Sequence, residues 1–384
     1  MKTVKIGFVG CGDISWIYLT NVTKMYKEIE VWGVCDLEEW KTERAVNVVK
    51  ETAEQMLGYD EKTFHLPIVY KDMYEMFADP DIDIVLNITR PYQHYDVSMA
   101  ALKAGKHVYS EKPLAASMEL GMELVEYAKE HNLMLGGAPD TFLGGGIQTC
   151  RKLIEDGAIG KPVGASAFIL SHGMENWHPD PDFFFKWGGG PVFDMGPYYI
   201  TAMVNLLGCV DSVVAMSARG NEKRMITSPQ HFGETINVEV DTHVEACLHF
   251  ESGVIGHLSA SWDSWGLKGD RIEINGTDGT IIVPDPNGFG GPVLLYRPEE
   301  GTMKEVPLMF PYKENSRALG LADMAKAIQT GRKFRANCGQ TYHVLEVMDS
   351  IMKSGKTHEE IKIKSRFEKS APMLVHNKPG VLED

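Results

Sequence analysis

The feature that most constrains this chain is a short apolar run that stops at a pair of glycines, Val4-Lys5-Ile6-Gly7-Phe8-Val9-Gly10-Cys11-Gly12-Asp13-Ile14-Ser15. A strand that feeds a tight glycine turn and then a helix brings backbone N–H groups to a helix N-terminus, where aligned peptide dipoles favour an anion. Gly10 permits the turn, Gly12 permits the close approach of a pyrophosphate, and Asp13 and Ile14 open the helix. Ser15 stands where a third glycine would complete G-x-G-x-x-G, and a small residue still lets helix and strand pack closely. A lone match of this kind is weak, so its surroundings carry the weight. Glu30 to Cys35 reads as a second apolar strand ending at Asp36, whose carboxylate would accept hydrogen bonds from both adenosine ribose hydroxyls. That carboxylate repels a 2′-phosphate, which favours NAD over NADP, although Lys41 and Arg44 beyond it would blunt the preference. As a plain strand-end turn former, Asp36 would need no ligand at all.

Up to about residue 136 strand and helix patterns alternate, the signature of a doubly wound parallel sheet. Ile84-Val85-Leu86-Asn87-Ile88 and His107-Val108-Tyr109 read as short buried strands, with Gly105 stopping the helix between them. Met118 to His131 reads as a helix before the strand Leu133-Met134-Leu135, and the glycine-rich stretch from Gly136 to Gly146 as a domain junction. Beyond it the rhythm shifts to long strands. From Val238 to Phe250 apolar and mostly polar residues alternate with a period of two, and Val254 to Trp262 continues as the hairpin partner. Arg271-Ile272-Glu273-Ile274 and Thr280-Ile281-Ile282-Val283 form another hairpin, and helices over Ser316 to Thr330 and Gly339 to Lys353 close the chain. The expected fold class is an α/β Rossmann domain with a doubly wound parallel sheet (residues 1–137). An α+β domain with a large open, mainly antiparallel sheet follows (138–365), then a loosely held tail (366–384). One face of that open sheet is packed and the other is free for helices or another subunit.

A chain of 384 residues supports two domains, and 43% hydrophobic with 24% charged residues is an ordinary globular balance. The net charge of −15 argues against nucleic acid or an acidic membrane as partner. Cys11, Cys35, Cys150, Cys209, Cys247 and Cys338 form no C-x-x-C pair and read as buried free thiols. A strand begins almost at Met1 and no apolar run approaches membrane-spanning length, so a soluble cytoplasmic protein is expected. No H-E-x-x-H or Cys/His ligand spacing occurs, so no metal is expected.

Hydride transfer from an alcohol to a nicotinamide needs a group that takes the hydroxyl proton, a cation that depresses that group's pKa, and side chains that hold the substrate. Glu111-Lys112-Pro113 follows the fifth strand, at the carboxyl edge where ligands bind in such sheets, so Lys112 could supply the cation; a lysine in a surface turn is the other reading. A second cluster runs from Trp187 through Gly188-Gly189-Gly190 to Asp194 and Tyr198. If Asp194 begins a helix, Tyr198 lies four residues on and shares its face. A free phenol has a pKa of about 10, and a nearby ammonium lowers it, which makes Lys112 and Tyr198 a sensible pair. Asp194 either orients a substrate hydroxyl or merely caps the helix. His172, Trp177, His178 and Trp187 are candidate substrate contacts, because prolines fix their segment as a loop; simple packing is the other reading for the tryptophans.

These segments together, with Thr89-Arg90-Pro91 and His94 and with Ala104-Gly105-Lys106-His107-Val108 leading into Glu111-Lys112-Pro113, resemble the glucose-fructose oxidoreductase and inositol dehydrogenase (Gfo/Idh/MocA) family over nearly the whole chain. The resemblance implies a Rossmann domain and a second domain whose open sheet joins subunits into dimers or tetramers. It implies that Lys112 is the active-site lysine, that Thr89, His94, Glu111 and Lys112 lie beside the cofactor, and that Lys112–Pro113 is a candidate cis bond. Inositol-dehydrogenase-like members carry a histidine where this chain has Tyr198. In this it resembles the branch in which tyrosine is the acid/base, so Tyr198 rather than Tyr199 is expected to accept the proton. The expected activity is NAD-dependent oxidation of a secondary hydroxyl on a cyclic polyol, sugar or glycoside. NAD-assisted glycoside cleavage and non-catalytic NAD(H) sensing are the alternatives.

Overall fold

The computed structural model describes residues 3–56, 58–265, 272–375, 378–380 and 382. Its first sheet has six parallel strands: β1 (Val4–Val9), β2 (Ile29–Cys35), β3 (Ile68–Val69), β4 (Ile84–Asn87), β5 (His107–Ser110) and β6 (Leu135–Gly137). They lie in the order β3-β2-β1-β4-β5-β6, the dinucleotide-binding arrangement whose ligands sit outside the carboxyl ends of the strands. Helices α1 (Ser15–Lys24), α2 (Glu39–Glu54), α3 (Met73–Ala78), α4 (His94–Lys103) and α5 (Met118–Glu130) connect the strands. The central strands are largely apolar because covered sheets bury both faces; Ile6, Phe8, Ile84, Val85 and Leu86 are wholly buried, and the polar Lys5 and Asn87 fall near strand ends. Gly105 has φ +78° and its N–H reaches Leu102 O at 2.9 Å, ending α4 as expected.

The second unit contains α6 (Gly145–Glu155), β7 (Pro162–Leu170), α7 (Gly190–Asp194), α8 (Gly196–Leu207) and β8 (Val210–Ala218), then a small ribbon of β9 (Lys223–Met225) and β10 (Thr235–Asn237). Strands β11 (His243–Phe250), β12 (Ile255–Ser261), β13 (Ile272–Gly276), β14 (Thr280–Val283), β15 (Val293–Tyr296) and β16 (Met303–Val306) precede α9 (Leu319–Thr330), α10 (Cys338–Thr357) and β17 (Ile361–Lys362). Its nine-stranded sheet runs β16-β15-β14-β13-β7-β12-β11-β8-β17 and is antiparallel except between β7 and β12. Every residue of α8 is buried, as an all-round apolar helix must be. The opposite sheet face stays open, with Val214, Met216 and Ile255 exposed.

Several expectations change. The strand expected over Val238 to Phe250 begins only at His243. Before it, backbone donors turn aside: Val238 N–H bonds Glu222 O and Glu239 N–H bonds Phe185 O, while Ser217 Oγ donates to Asp241. The last two helices run Leu319–Thr330 and Cys338–Thr357, the former delayed by Ala318 in a left-handed conformation. Arg271, expected at the start of a strand, lies outside the described residues. The tail expected to be loose is tied down: Met373 N–H donates to Gln148 Oε1 at 2.9 Å, Gly380 N–H to the Tyr312 hydroxyl at 3.2 Å, and Leu382 N–H to Glu28 Oε1 at 3.1 Å. Of the cysteines, Cys247 is exposed on the open sheet face and Cys338 is half-buried, rather than buried. No helix among the described residues is long and apolar enough to cross a membrane.

The two sheets are locked together near β6. Asp323 on α9 is wholly buried; it accepts from Arg335 N–H at 2.6 Å and Arg332 Nη2 at 2.8 Å, and it pairs with the Arg335 guanidinium. This fixes the turn that brings Asn337 against Gly136. Removing one partner of a buried ion pair strands the other, a loss of about 3 to 5 kcal/mol. Asp323→Ala is expected to destabilise the protein by that amount in denaturant unfolding, whereas a loss below about 1 kcal/mol would show that the cluster is not a structural tie.

Candidate active site

The loop after β1 has the form its sequence demands. Gly10 has φ +94°, and a Cβ there would stand 2.7 Å from Ile88 O, so only glycine fits. Gly12 is different: a Cβ there would meet nothing within 4 Å, which leaves open space above the start of α1. No side chain caps α1 and its first turn carries no acid, so the Asp13 and Ile14 end of the helix faces a cradle suited to an anion. Ser15 is buried and its hydroxyl donates to Gly12 O at 2.6 Å, which closes the turn in place of a third glycine. Asp36 Oδ2 accepts Cys11 N–H at 2.7 Å and Oδ1 accepts Glu38 N–H at 3.0 Å, fixing the carboxylate beside the loop with lone pairs to spare for a ribose diol. Arg44 Nη2 donates to Cys11 O at 2.8 Å. Burial, then the Asp36 charge, pushes the Cys11 thiol up to about 12, so it is inert. The donor set and open cradle fit a dinucleotide.

At the carboxyl end of β5, Glu111 turns inward. Its carboxylate accepts from the Tyr18 hydroxyl of α1 at 2.7 Å and from Lys112 N–H at 2.9 Å. The Lys112–Pro113 bond is cis. His94 is buried, with Nδ1 at 2.6 Å from Pro113 O and Nε2 at 3.1 Å from Thr89 O. Both ring nitrogens face backbone carbonyls, and the single N–H of the neutral ring bonds one of them, so His94 lies between the turn after β4 and the lysine segment. Thr89 is held by its hydroxyl on Asn87 Oδ1 at 2.7 Å.

Lys112 Nζ donates to both Oδ1 and the backbone O of Asp194, each at 2.8 Å. Burial alone would lower its pKa, but Asp194, Tyr198 and Glu111 outweigh it and hold the ammonium above its ordinary value. Asp194 does not begin a helix as expected; it ends α7, and α8 starts afresh two residues on. The cause is Pro197, which has no N–H to carry the helix through. Tyr198 therefore lies in the first turn of α8, its ring centroid 5.3 Å from Lys112 Nζ. Burial raises the Tyr198 phenol; Lys112 and the hydrogen-bonded Arg317 pull the other way without overcoming it, so the net direction is upward, opposite to the sequence expectation.

Arg317 was not legible as a site residue. It follows no motif, and it reaches Tyr198 because Asn287 Oδ1 and Asn315 Oδ1 accept from its guanidinium at 2.6 and 2.9 Å. Of the expected substrate contacts, Trp187 lines the cleft that holds Lys112 and Asp194, together with Tyr92, Phe183, Phe184 and Phe193. His178 packs behind Phe183 and Phe184, its Nδ1 accepting Asp180 N–H at 3.0 Å, and burial lowers its pKa. Trp177, 61% exposed, stands edge-on to His178. His172 is turned away from this cleft and stacks on Trp265 with centroids 3.4 Å apart.

Residues 4–137 match the oxidoreductase family with an NAD-binding Rossmann fold, and residues 147–282 match the GFO/IDH/MocA C-terminal domain. The myo-inositol 2-dehydrogenase of Thermotoga maritima is 25% identical over 303 residues, spanning 76% of this chain and 82% of that protein. The levoglucosan dehydrogenase of Pseudarthrobacter phenanthrenivorans is 25% identical over 344 residues, 80% of this chain and 86% of that one. A solved levoglucosan dehydrogenase in complex with NADH has the same fold, with a TM-score of 0.78 at 19% identity over 95% of this chain and 100% of that one.

The two glycines should separate stability from affinity. Gly10→Ala is expected to lower the melting temperature, through its positive φ and the nearby carbonyl. Gly12→Ala should leave melting nearly unchanged while weakening NADH binding by about tenfold or more in a fluorescence titration, because its methyl fills the cradle. Equal NADH affinity in Gly12→Ala and wild type would remove this loop from the cofactor site.

Proposed function

Because the chain belongs to the Gfo/Idh/MocA family of NAD-binding oxidoreductases, we propose that it reversibly oxidises a secondary hydroxyl on a cyclic polyol, sugar or glycoside. The observation that carries this reading is the Lys112–Asp194 pair set against the Tyr198 ring. NAD supplies the hydride acceptor. Gly10, Gly12, Asp13 and Ile14 would hold its pyrophosphate and Asp36 its ribose, while Thr89, His94 and Glu111 shape the edge on which Lys112 meets the nicotinamide end. At that edge Lys112 and Asp194 orient the substrate hydroxyl, and Tyr198 Oη takes its proton as the carbinol C–H departs as hydride, leaving a ketone. Lys112 and Arg317 favour the phenolate that forms the base. Trp187 borders the substrate, while His178, with Trp177 edge-on to it, supports Phe183 and Phe184 from behind. The relatives named for inositol and levoglucosan support a cyclic carbohydrate or cyclitol as substrate class.

The direction of the Tyr198 shift fixes the pH dependence. Its phenol titrates above the ordinary value, so the phenolate needed for oxidation is a minor form at neutral pH and grows about tenfold per pH unit below the pKa. Alcohol oxidation is expected to climb from about pH 7 to about pH 9 without a plateau, whereas ketone reduction, which uses the phenol, stays flat. Tyr198→Phe should cut kcat by about 100-fold or more, abolish the alkaline climb and keep NADH affinity. Near-normal turnover in Tyr198→Phe would refute the assignment.

The open face of the nine-stranded sheet supports a homodimer or homotetramer contact, since it leaves Val214 and Met216 of β8 and Ile255 of β12 exposed on either side of Glu245, Cys247 and His249 of β11. Met216→Lys with Ile255→Lys is expected to yield monomers in sedimentation velocity. An unchanged sedimentation coefficient would locate the contact elsewhere.

A further inference from the structure

We propose that the substrate is a neutral glycoside whose aglycone is a flat aromatic group, seated on an aromatic wall built by the second unit. The proposal rests on the oxidoreductase reading above and adds a substrate class to it. The cleft over Lys112 and Asp194 is walled by Tyr92 from the Rossmann unit and by Phe183, Phe184, Trp187 and Phe193 from the other. Among its described lining residues, Lys112 and Asp194 are the only charged side chains, and they neutralise each other at 2.8 Å.

The wall is preformed. Phe183 and Phe184 stack with centroids 4.1 Å apart, and the His178 ring meets their edges at 5.5 and 5.0 Å. Arg90 ties this loop to the other unit, its guanidinium 5.5 Å from the Phe183 centroid and 2.9 Å from Asp180. Trp187 is 58% exposed at the mouth and Tyr92 49%. Large rings left in water beside polar reacting groups mark a binding surface more than a core.

Chemistry selects the occupant. A free cyclitol carries hydroxyls around its rim, and each one pressed against an aromatic wall would lose its water without gaining a partner. A pyranose offers an apolar C–H face to one ring, whereas this wall has four. An aromatic aglycone uses the surplus through offset or edge-to-face stacking, while the sugar hydroxyl reaches Lys112, Asp194 and Tyr198. A phosphorylated or nucleotide-linked sugar would need a cation free to meet its phosphate, whereas Lys112 is paired with Asp194, Arg90 with Asp180, and Arg317 is held by Asn287, Asn315 and Tyr198.

The test measures NADH formation and tryptophan fluorescence with free sugars, methyl glycosides and phenyl glycosides of the gluco, galacto, manno and xylo series. For at least one sugar, kcat/KM for the phenyl glycoside should exceed that for the methyl glycoside by about tenfold or more, equivalent to about 1.4 kcal/mol. Trp187→Ala should lower the phenyl-to-methyl ratio about tenfold, and Trp187→Phe should restore part of it. Equal turnover of phenyl and methyl glycosides would overturn the aromatic subsite while leaving the oxidoreductase reading intact. Phenyl glycosides that quench fluorescence in wild type but not in Trp187→Ala, yet are never oxidised, would support the subsite and overturn the redox reading. Neither quenching nor turnover across the panel would overturn the proposed subsite.

Discussion

The Lys112–Asp194 ion pair joins the two units where their chemistry meets. Burying two opposite charges recovers their lost hydration only if the remaining donors and acceptors are also satisfied. Here the ammonium donates twice to Asp194, and the Lys112 backbone N–H donates to Glu111, which also accepts from the Tyr18 hydroxyl of α1. The chain of contacts therefore runs from the glycine-loop helix, through the carboxyl end of β5, to the end of α7. Disturbing any link leaves a charge buried without its partner, so the site and the interface between the units share one set of interactions.

Around this pair polar and apolar demands are kept apart. Charges lie at the base of the cleft and aromatic rings form its wall. A similar separation appears in the satellite core beside it, where Arg224 is buried among Glu175, Asp263 and the carbonyls of His172 and Trp262, with Phe185, Ile226, Ile236, Val238 and Trp262 packed together nearby. That small core holds the β9–β10 ribbon and diverts residues 238–242 from the large sheet. The loop carrying Trp187 is thus braced on both sides, by the ribbon through Glu239 on Lys186 and by Arg90 on Asp180.

The Rossmann half was legible because its signals are local. Apolar runs, Gly10, Gly105 and the position of Asp36 each act through the backbone of their own segment, so sequence order and spatial order coincide. Lys112, Asp194 and Tyr198 were legible as residue types in suggestive places, and the structure brings them together. Arg317 was not, because its role depends on Asn287 and Asn315 in loops that no periodicity describes. His172 misled for the converse reason: a histidine near a tryptophan-rich loop looks like a ligand contact, yet its ring is spent on Trp265. The sign of the Tyr198 shift was also out of reach, since a sequence displays the cation but not the burial that outweighs it. The tail misled too: a chain end without periodicity looks loose, but single N–H groups at Met373, Gly380 and Leu382 reach polar side chains far away in sequence.

One proline explains much of the site's geometry. In an unbroken helix Asp194 O would accept the Tyr198 N–H, and neither the carbonyl nor its dipole would be free for Lys112. Because Pro197 cannot donate, Tyr198 N–H bonds Met195 O at 3.1 Å instead, and Asp194 O turns to Lys112 Nζ. Asp194 sits at a helix C-terminus, where exposed carbonyls attract the ammonium. Tyr198 sits in the first turn of the twelve-residue α8, where its own N–H and that of Tyr199 both turn back to Met195 O. A single residue without a backbone donor thus supplies a cation seat beside the turn that carries the phenol, which a continuous helix carrying the same side chains would not provide.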